Sequence, residues 1–401
     1  MPLRRTDLPP MAAERMYGLP PYLFGKINAA RDKLIAAGHD VVDLGMGSPT
    51  DPPPPAVVEA LKKILDKPGI HRYSAARGIM PLRKAVASFY KRTHGVDLDP
   101  ATETIATVGS KEGVSHLWLS LLSPGDLVLV PVPAFSPHLY GPMLAGGTAV
   151  GIPLKMGLDK ALDRAEELCQ TLVPAPKALL LCFPHNPTGR TVDLPFYEKA
   201  VAIAKKYNLY IVSDVAYALT TFGNYKAPSV LQVPGAKERT IEFFTMSKPF
   251  SMAGWRIGYA VGSKDLIDLL GSIKGYYDYS IFEAIQEAAI VGLEKCDKDY
   301  KAQAKIYERR LEIMAPALQR MGFEFEKPRG GMFVWAELPK KVRHIPSMDF
   351  AFRMMDEIKV VAIPGSGFGD AGEGAFRLAI VEPAERIKVG MDRMEAWFAK
   401  L

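Results

Sequence analysis

The chain has 401 residues, 48% of them hydrophobic, which is too long for one simple core and suits two packed lobes with a cleft between them. Its 50 basic and 44 acidic residues leave a formal charge of +6 with no long basic block; Arg4-Arg5 and Lys340-Lys341-Val342-Arg343 read as solvated surface, so neither nucleic acid nor another polyanion is expected as a partner. Cys169, Cys182 and Cys296 are too dispersed for a disulfide framework or a Cys-x-x-Cys metal or redox motif, and no signal-like or membrane-spanning apolar run is present, so a cytoplasmic protein without a metal site or membrane partner is expected.

In chain order, Tyr22 to Ala37 predicts a helix, and the Pro52 to Pro55 run after Gly45-Met46-Gly47 predicts a stiff linker. From about Pro81 to Leu270, short apolar runs alternate with helical patterns, which is how a mostly parallel sheet covered by helices is written. Strands are expected at Thr104 to Val108, Leu127 to Pro131, Ala178 to Phe183, Leu209 to Ser213 and Ile241 to Met246. Asp193 is expected to cap a helix ending at Tyr207, in which Phe196, Ala200, Ile203 and Ala204 recur at helical spacing. A long charged helix from Asp297 to Arg320, strands near Met332 to Glu337 and Ala375 to Ile380, and a helix after Pro383 follow. The expected class is α/β, with a large domain over 50–290 and a smaller α+β domain from 15–49 and 291–401.

Ligands of open α/β sheets sit beyond the carboxyl ends of the strands, so polar residues directly after apolar runs are where a site should lie. Four groups qualify: Gly109-Ser110-Lys111-Glu112-Gly113, Asn186 in PHNPTG, Asp214 in SDVAY, and Ser247-Lys248 in TMSKPFSMAGWRIGY. Singly they read as a glycine-rich turn, an Asn-Pro turn, a helix cap and a surface lysine. Their conjunction is more specific, and Ser-Lys-x-Phe-x-Met-x-Gly-Trp-Arg-x-Gly at 247–258 resembles the lysine signature of the class I/II, fold-type I aminotransferases that use pyridoxal 5′-phosphate. The resemblance runs from LPPYLF and DLGMGSP through YSAARG, VGSKEG, NPTG and SDVAYA to GFGDAGEGAFRLA. It implies the fold of that family, a mostly parallel seven-stranded sheet flanked by helices beside a smaller domain.

What the resemblance implies residue by residue agrees with what the chemistry requires. A transaminase needs an amine that binds the cofactor aldehyde reversibly and shuttles a proton; Lys248 matches it. The cofactor ring nitrogen stays protonated only beside a fixed carboxylate, and Asp214 matches that group, with Tyr217 and Asn186 serving the phenolic oxygen. The phosphate dianion calls for helix N-terminal amides with hydroxyl and guanidinium donors: Ser110, Lys111 and Glu112 open the helix, the Glu112 side chain turned away, and Ser247 and Arg256 match further phosphate positions. Phe135 in PVPAFSPH matches the aromatic that stacks on the ring. Tyr73 in HRYSAARG resembles a tyrosine lent by the neighbouring subunit, which implies a homodimer with shared sites.

A substrate carboxylate asks for a planar bidentate guanidinium, and Arg377 in AFRLA matches it. Gly45 resembles the position where backbone approaches that carboxylate, and Tyr22 in LPPYLF is expected to line the side-chain pocket. The expected reaction is ping-pong, an amino acid donating nitrogen and a 2-oxo acid collecting it. IKGYYDYSIFEA holds Tyr276, Tyr277 and Tyr279 but no arginine, against a dicarboxylate-specific enzyme. MGSPTDPPPP, YSAARGIMPLR, KAPSVLQVPGAKE and GWRIGY most resemble bacterial alanine (glutamate–pyruvate) transaminases, with LL-diaminopimelate aminotransferases sharing much of the wording. A lyase on the same fold stays open; a cofactor-sensing regulator is disfavoured because the region before Leu19 is too short for a DNA-binding domain.

Overall fold

A computed structural model describes residues 7–401, so Arg4-Arg5 lies outside the described residues. Its strands are β1 (Val42–Asp43), β2 (Thr104–Thr107), β3 (Leu127–Val132), β4 (Thr148–Pro153), β5 (Ala178–Leu181) and β6 (Tyr210–Asp214), followed by β7 (Thr240–Thr245), β8 (Gly258–Gly262), β9 (Phe333–Glu337), β10 (Val360–Val361), β11 (Ile363–Pro364) and β12 (Ala375–Ala379). Seven of them form the central sheet in the order β2-β8-β7-β6-β5-β3-β4, and β8 alone runs antiparallel to its neighbours. The expected fold class is the one observed.

The sheet is apolar on both faces because helices cover both. Strand β5 shows this directly: Leu179 and Leu181 pack with the helices Leu158–Thr171 and Leu194–Lys206, while Ala178 and Leu180 join Val114, Leu117 and Trp118 of Gly109–Leu121 on the other side. Each large side chain so buried contributes roughly 1.5–3 kcal/mol. A second core gathers Val42, Leu44, Met314, Leu318, Phe350, Ile387 and Trp397 around the antiparallel sheet β11-β12-β9. The helix Asp297–Arg320 belongs to both: Tyr300 packs into the large core, and Tyr307, Leu311 and Met314 into the smaller one. Among the described residues, no helix is long and apolar enough to cross a membrane.

Two strands were not anticipated and two local expectations are corrected. Strand β4 was not anticipated because it is an edge strand in which only Ile152 is buried, so it writes no apolar run. Strand β8 starts at the last residue of the lysine motif, Gly258, where a Cβ would stand 2.5 Å from the Phe244 carbonyl oxygen; the glycine is there for close strand packing. Asp193 occupies the cap position of Leu194–Lys206, yet its carboxylate does not bond the helix amides and instead lies 3.2 Å from Arg329 Nη2. The proline run is linker only as far as Pro54, since Pro55 opens the helix Pro55–Leu65, where its missing N–H costs nothing.

Candidate active site

The carboxyl ends of β2, β5, β6 and β7 deliver their following residues to one cavity of about 310 Å³. Its walls bring together Tyr22, Ser110, Lys111, Phe135, Asn186, Asp214, Tyr217, Ser247, Lys248, Arg256 and Arg377, residues spread over most of the chain. Three predicted positions lie elsewhere. The Glu112 side chain turns away, its Oε2 accepting the Val108 N–H at 2.7 Å. Gly45 enters only through its backbone: its N–H donates to Asp43 Oδ1 at 2.9 Å and its carbonyl accepts from Arg377 Nη2 at 2.8 Å. Tyr73 is 91% exposed, its ring edge-on to Tyr279 at 5.7 Å, outside the cavity of its own chain.

Lys248 follows β7 and donates from Nζ to the Gly47 carbonyl at 2.6 Å. Burial, reinforced by the nearby Arg377 and Arg256 charges and opposed by Asp214, pulls its ammonium down to about 8. A buried amine in this range supplies neutral nitrogen near physiological pH, as a nucleophile or proton shuttle requires.

Asp214 closes β6. His138 Nε2–H donates to its Oδ2 at 3.0 Å, whereas Oδ1 is buried without a protein partner. Tyr217 lies within reach of Asn186, whose Nδ2 donates to the phenol oxygen over a long 3.4 Å, and burial pushes the phenol well above its usual range. The other end of the Asn186 amide accepts from Arg377 Nη1 at 3.0 Å, so one side chain ties the β5 end to β12. Arg377 is fully buried, with its guanidinium 4.0 Å from the Phe333 ring centroid and its Nε unpartnered. Burial draws it down to about 10, which still leaves it charged at neutral pH.

Another part of the cavity wall forms a candidate anion cradle. Helix Gly109–Leu121 points its N-terminus there, where the first backbone N–H groups have no intrahelical acceptor. Arg256 donates to the Val108 and Ala253 carbonyls at 3.0 and 2.9 Å. Gly109 sits at φ +75°, where a side chain would be strained, and a Cβ there would fall 2.7 Å from Arg256 Nη2, so the guanidinium would have to shift.

Sequence reading missed His138, Phe24, Phe333 and Cys182 in the cavity wall. The only local signal for His138 was its place three residues after Phe135. Phe333 reads as an ordinary strand residue. Burial, with the Asp214 charge beside it, pushes the Cys182 thiol well up.

Residues 39–394 match the family described as aminotransferase class I and II. The glutamate-pyruvate aminotransferase AlaC of Escherichia coli is 41% identical over 96% of this chain and 93% of its own. An LL-diaminopimelate aminotransferase of Aquifex aeolicus is 40% identical over 96% of this chain and 98% of its own. The solved substrate-bound BacF structure of Bacillus subtilis superposes with a TM-score of 0.88 at 30% identity, covering 96% of this chain and 98% of that one. With a cavity that brings together a half-buried lysine, a carboxylate and a guanidinium, the chain belongs to the class I and II aminotransferases, enzymes dependent on pyridoxal phosphate.

Proposed function

We propose that the cavity holds pyridoxal 5′-phosphate and that the enzyme transfers the amino group of alanine to 2-oxoglutarate by a ping-pong mechanism. The observation that carries the cofactor assignment is the buried, unpartnered Asp214 Oδ1 in a cavity that also contains Lys248 and a helix N-terminus. An orphaned buried carboxylate oxygen costs stability unless a ligand donates to it, and a protonated pyridine nitrogen is such a donor. Ser110 and Lys111 with the helix amides, Ser247 and Arg256 would hold the phosphate; Asn186 and Tyr217 would serve the phenolic oxygen; Phe135 would lie against the ring. Tyr73 would come from a second copy of the chain, a reading supported by the exposed aromatic face of Tyr73, Tyr276, Tyr277, Tyr279 and Phe282. The lobes would divide as 50–290 for the large, cofactor-binding domain and 15–49 with 291–401 for the small domain.

When bound, the cofactor supplies an electron sink that makes the amino acid's Cα proton removable. The protein does the rest. Arg377, held by Asn186 and Gly45, orients the substrate carboxylate with its remaining N–H groups. Lys248 Nζ takes and returns the Cα proton, its lowered basicity suiting both directions. His138 fixes the Asp214 carboxylate from behind.

Alanine is preferred as donor because Tyr22, Phe24, Met46 and Phe333 give the cavity an apolar and aromatic wall that suits a methyl group. One observation favours LL-diaminopimelate instead: Asn28 lines the same cavity and its Oδ1 has no protein partner, a polar group that a donor with a distal ammonium would use. The test is a spectral titration of the cofactor-loaded protein with alanine, glutamate, aspartate and LL-diaminopimelate in turn, following loss of the visible band. Conversion by alanine and glutamate supports the proposal. Conversion by LL-diaminopimelate with alanine inert replaces the substrate, and no conversion by any of them removes the transaminase assignment in favour of a lyase or cofactor sensor.

A further inference from the structure

Beside the anion cradle lies a half-buried charge cluster, outside the cavity wall, around the buried Lys274. Lys274, on the helix Lys264–Tyr277, has a side chain only 1% exposed. Its Nζ donates to Glu112 Oε1 at 3.1 Å and to Asp278 Oδ2 at 2.7 Å. His116 Nδ1 lies 2.6 Å from Glu112 Oε1 and its ring packs on Tyr277. Glu112, His116 and Asp278 have the mutual spacing of a cation site, and the Lys274 ammonium is the cation held between the two carboxylates.

The consequence is mechanical. Glu112 uses its other oxygen to accept the N–H of Val108, the residue that precedes Gly109–Leu121, and the Val108 carbonyl is in turn held by Arg256. The two peptide units that flank the Val108 Cα are thus held, one by a cavity-facing guanidinium and the other by a carboxylate that Lys274 anchors. The contact spans 162 residues of sequence and ties the helix that presents Ser110 and Lys111 to a second, separate helix.

We infer that Lys274 is a positioning residue that sets the angle and depth of the helix N-terminus, and hence the grip on the cofactor's phosphate, without touching the cofactor. A neutral residue at 274 would leave Glu112 and Asp278 as two half-buried carboxylates without their shared counter-ion, and Glu112 would turn toward solvent or take a proton, releasing Val108. The inference rests on the reading that this cradle binds phosphate.

The test measures equilibrium binding of pyridoxal 5′-phosphate, pyridoxal and inorganic phosphate to full-length cofactor-free protein, native and carrying Lys274→Met, Lys274→Arg or Glu112→Gln. The expected result is an increase of at least ~10-fold in Kd for pyridoxal phosphate and for inorganic phosphate in Lys274→Met, with pyridoxal changed less than twofold and partial recovery in Lys274→Arg. Unchanged phosphate affinity overturns the inference. So does an equal loss for pyridoxal and its phosphate, because that marks a general loosening rather than a cradle effect. If Lys274→Met does not fold, Glu112→Gln, which retains an oxygen for Val108 but loses the charge facing Lys274, carries the same comparison. Native protein that binds neither phosphate ligand would remove the cradle reading itself, an outcome distinct from native binding with an indifferent variant.

Discussion

Glu242 and Asp214 are buried carboxylates on adjacent strands, Glu242 lying opposite Ser213, yet they are completed in different ways. Glu242 accepts from Ser229 Oγ at 2.6 Å, Tyr90 Oη at 2.9 Å, Ser213 Oγ at 3.0 Å and the Val230 N–H at 3.3 Å. Burial pushes its pKa up and these donors pull it back. Asp214 has His138 on one oxygen and no protein group on the other. A buried carboxylate whose lone pairs are all met by the protein serves the fold, and one left open toward a cavity is reserved for a ligand. Arg377 and Lys274 repeat the contrast among the cations: one keeps an unpartnered Nε in the cavity wall, the other is closed between two carboxylates.

Substitutions test that division from the largest effect downward. Lys248→Ala is expected to abolish the visible absorbance of the loaded enzyme and to lower turnover by ~10³-fold or more while phosphate contacts still retain cofactor. A spectrum and rate like the native protein's would remove Lys248 from the reaction. Asp214→Asn keeps shape but loses charge, so turnover should fall by ~10²–10³-fold with a melting temperature close to native; a large drop in melting temperature would place Asp214 with Glu242 among structural carboxylates.

Glu242→Leu should do the reverse. It strands three hydroxyls and an N–H, so denaturant unfolding should show a loss of ~2–4 kcal/mol, with cofactor affinity of the folded fraction unchanged. Arg377→Lys keeps a cation but loses the planar fork, and kcat/KM for the amino-acid donor should fall by ~10–100-fold with cofactor binding intact. The smallest effect is a pH slope. Because the Lys248 pKa drops from 10.5 to about 8 on folding, the unfolded chain binds more protons between those values, and the cofactor-free protein should gain stability as pH rises through that window. Thermal melts of the native and Lys248→Met proteins check this: only the native protein should show that gain.

Much of the site was legible because its residues directly follow short apolar runs: Gly109 to Lys111 after β2, Asn186 after β5, Asp214 ending β6 and Lys248 after β7. His138 and Phe333 were not, since a histidine in a short helix and a phenylalanine in a strand have no pattern that marks them apart from core. Glu112 was read only through its place in the turn. Its partnership with Lys274 could not be read from either segment, because a lysine near a helix end ordinarily faces water.

The sequence by itself determined the α/β class and the family and singled out the lysine, carboxylate and arginine that meet in the cavity, because alternating apolar runs and short motifs are local properties that neighbouring residues enforce. Tertiary structure alone decided which polar atoms were satisfied and which were not: Asn186 meeting Arg377 across 191 residues, Glu242 enclosed, Asp214 Oδ1 buried without a partner, Lys274 locked between Glu112 and Asp278. Hydrogen bonds and desolvation act over a few ångströms in space, and that distance has no counterpart along the chain.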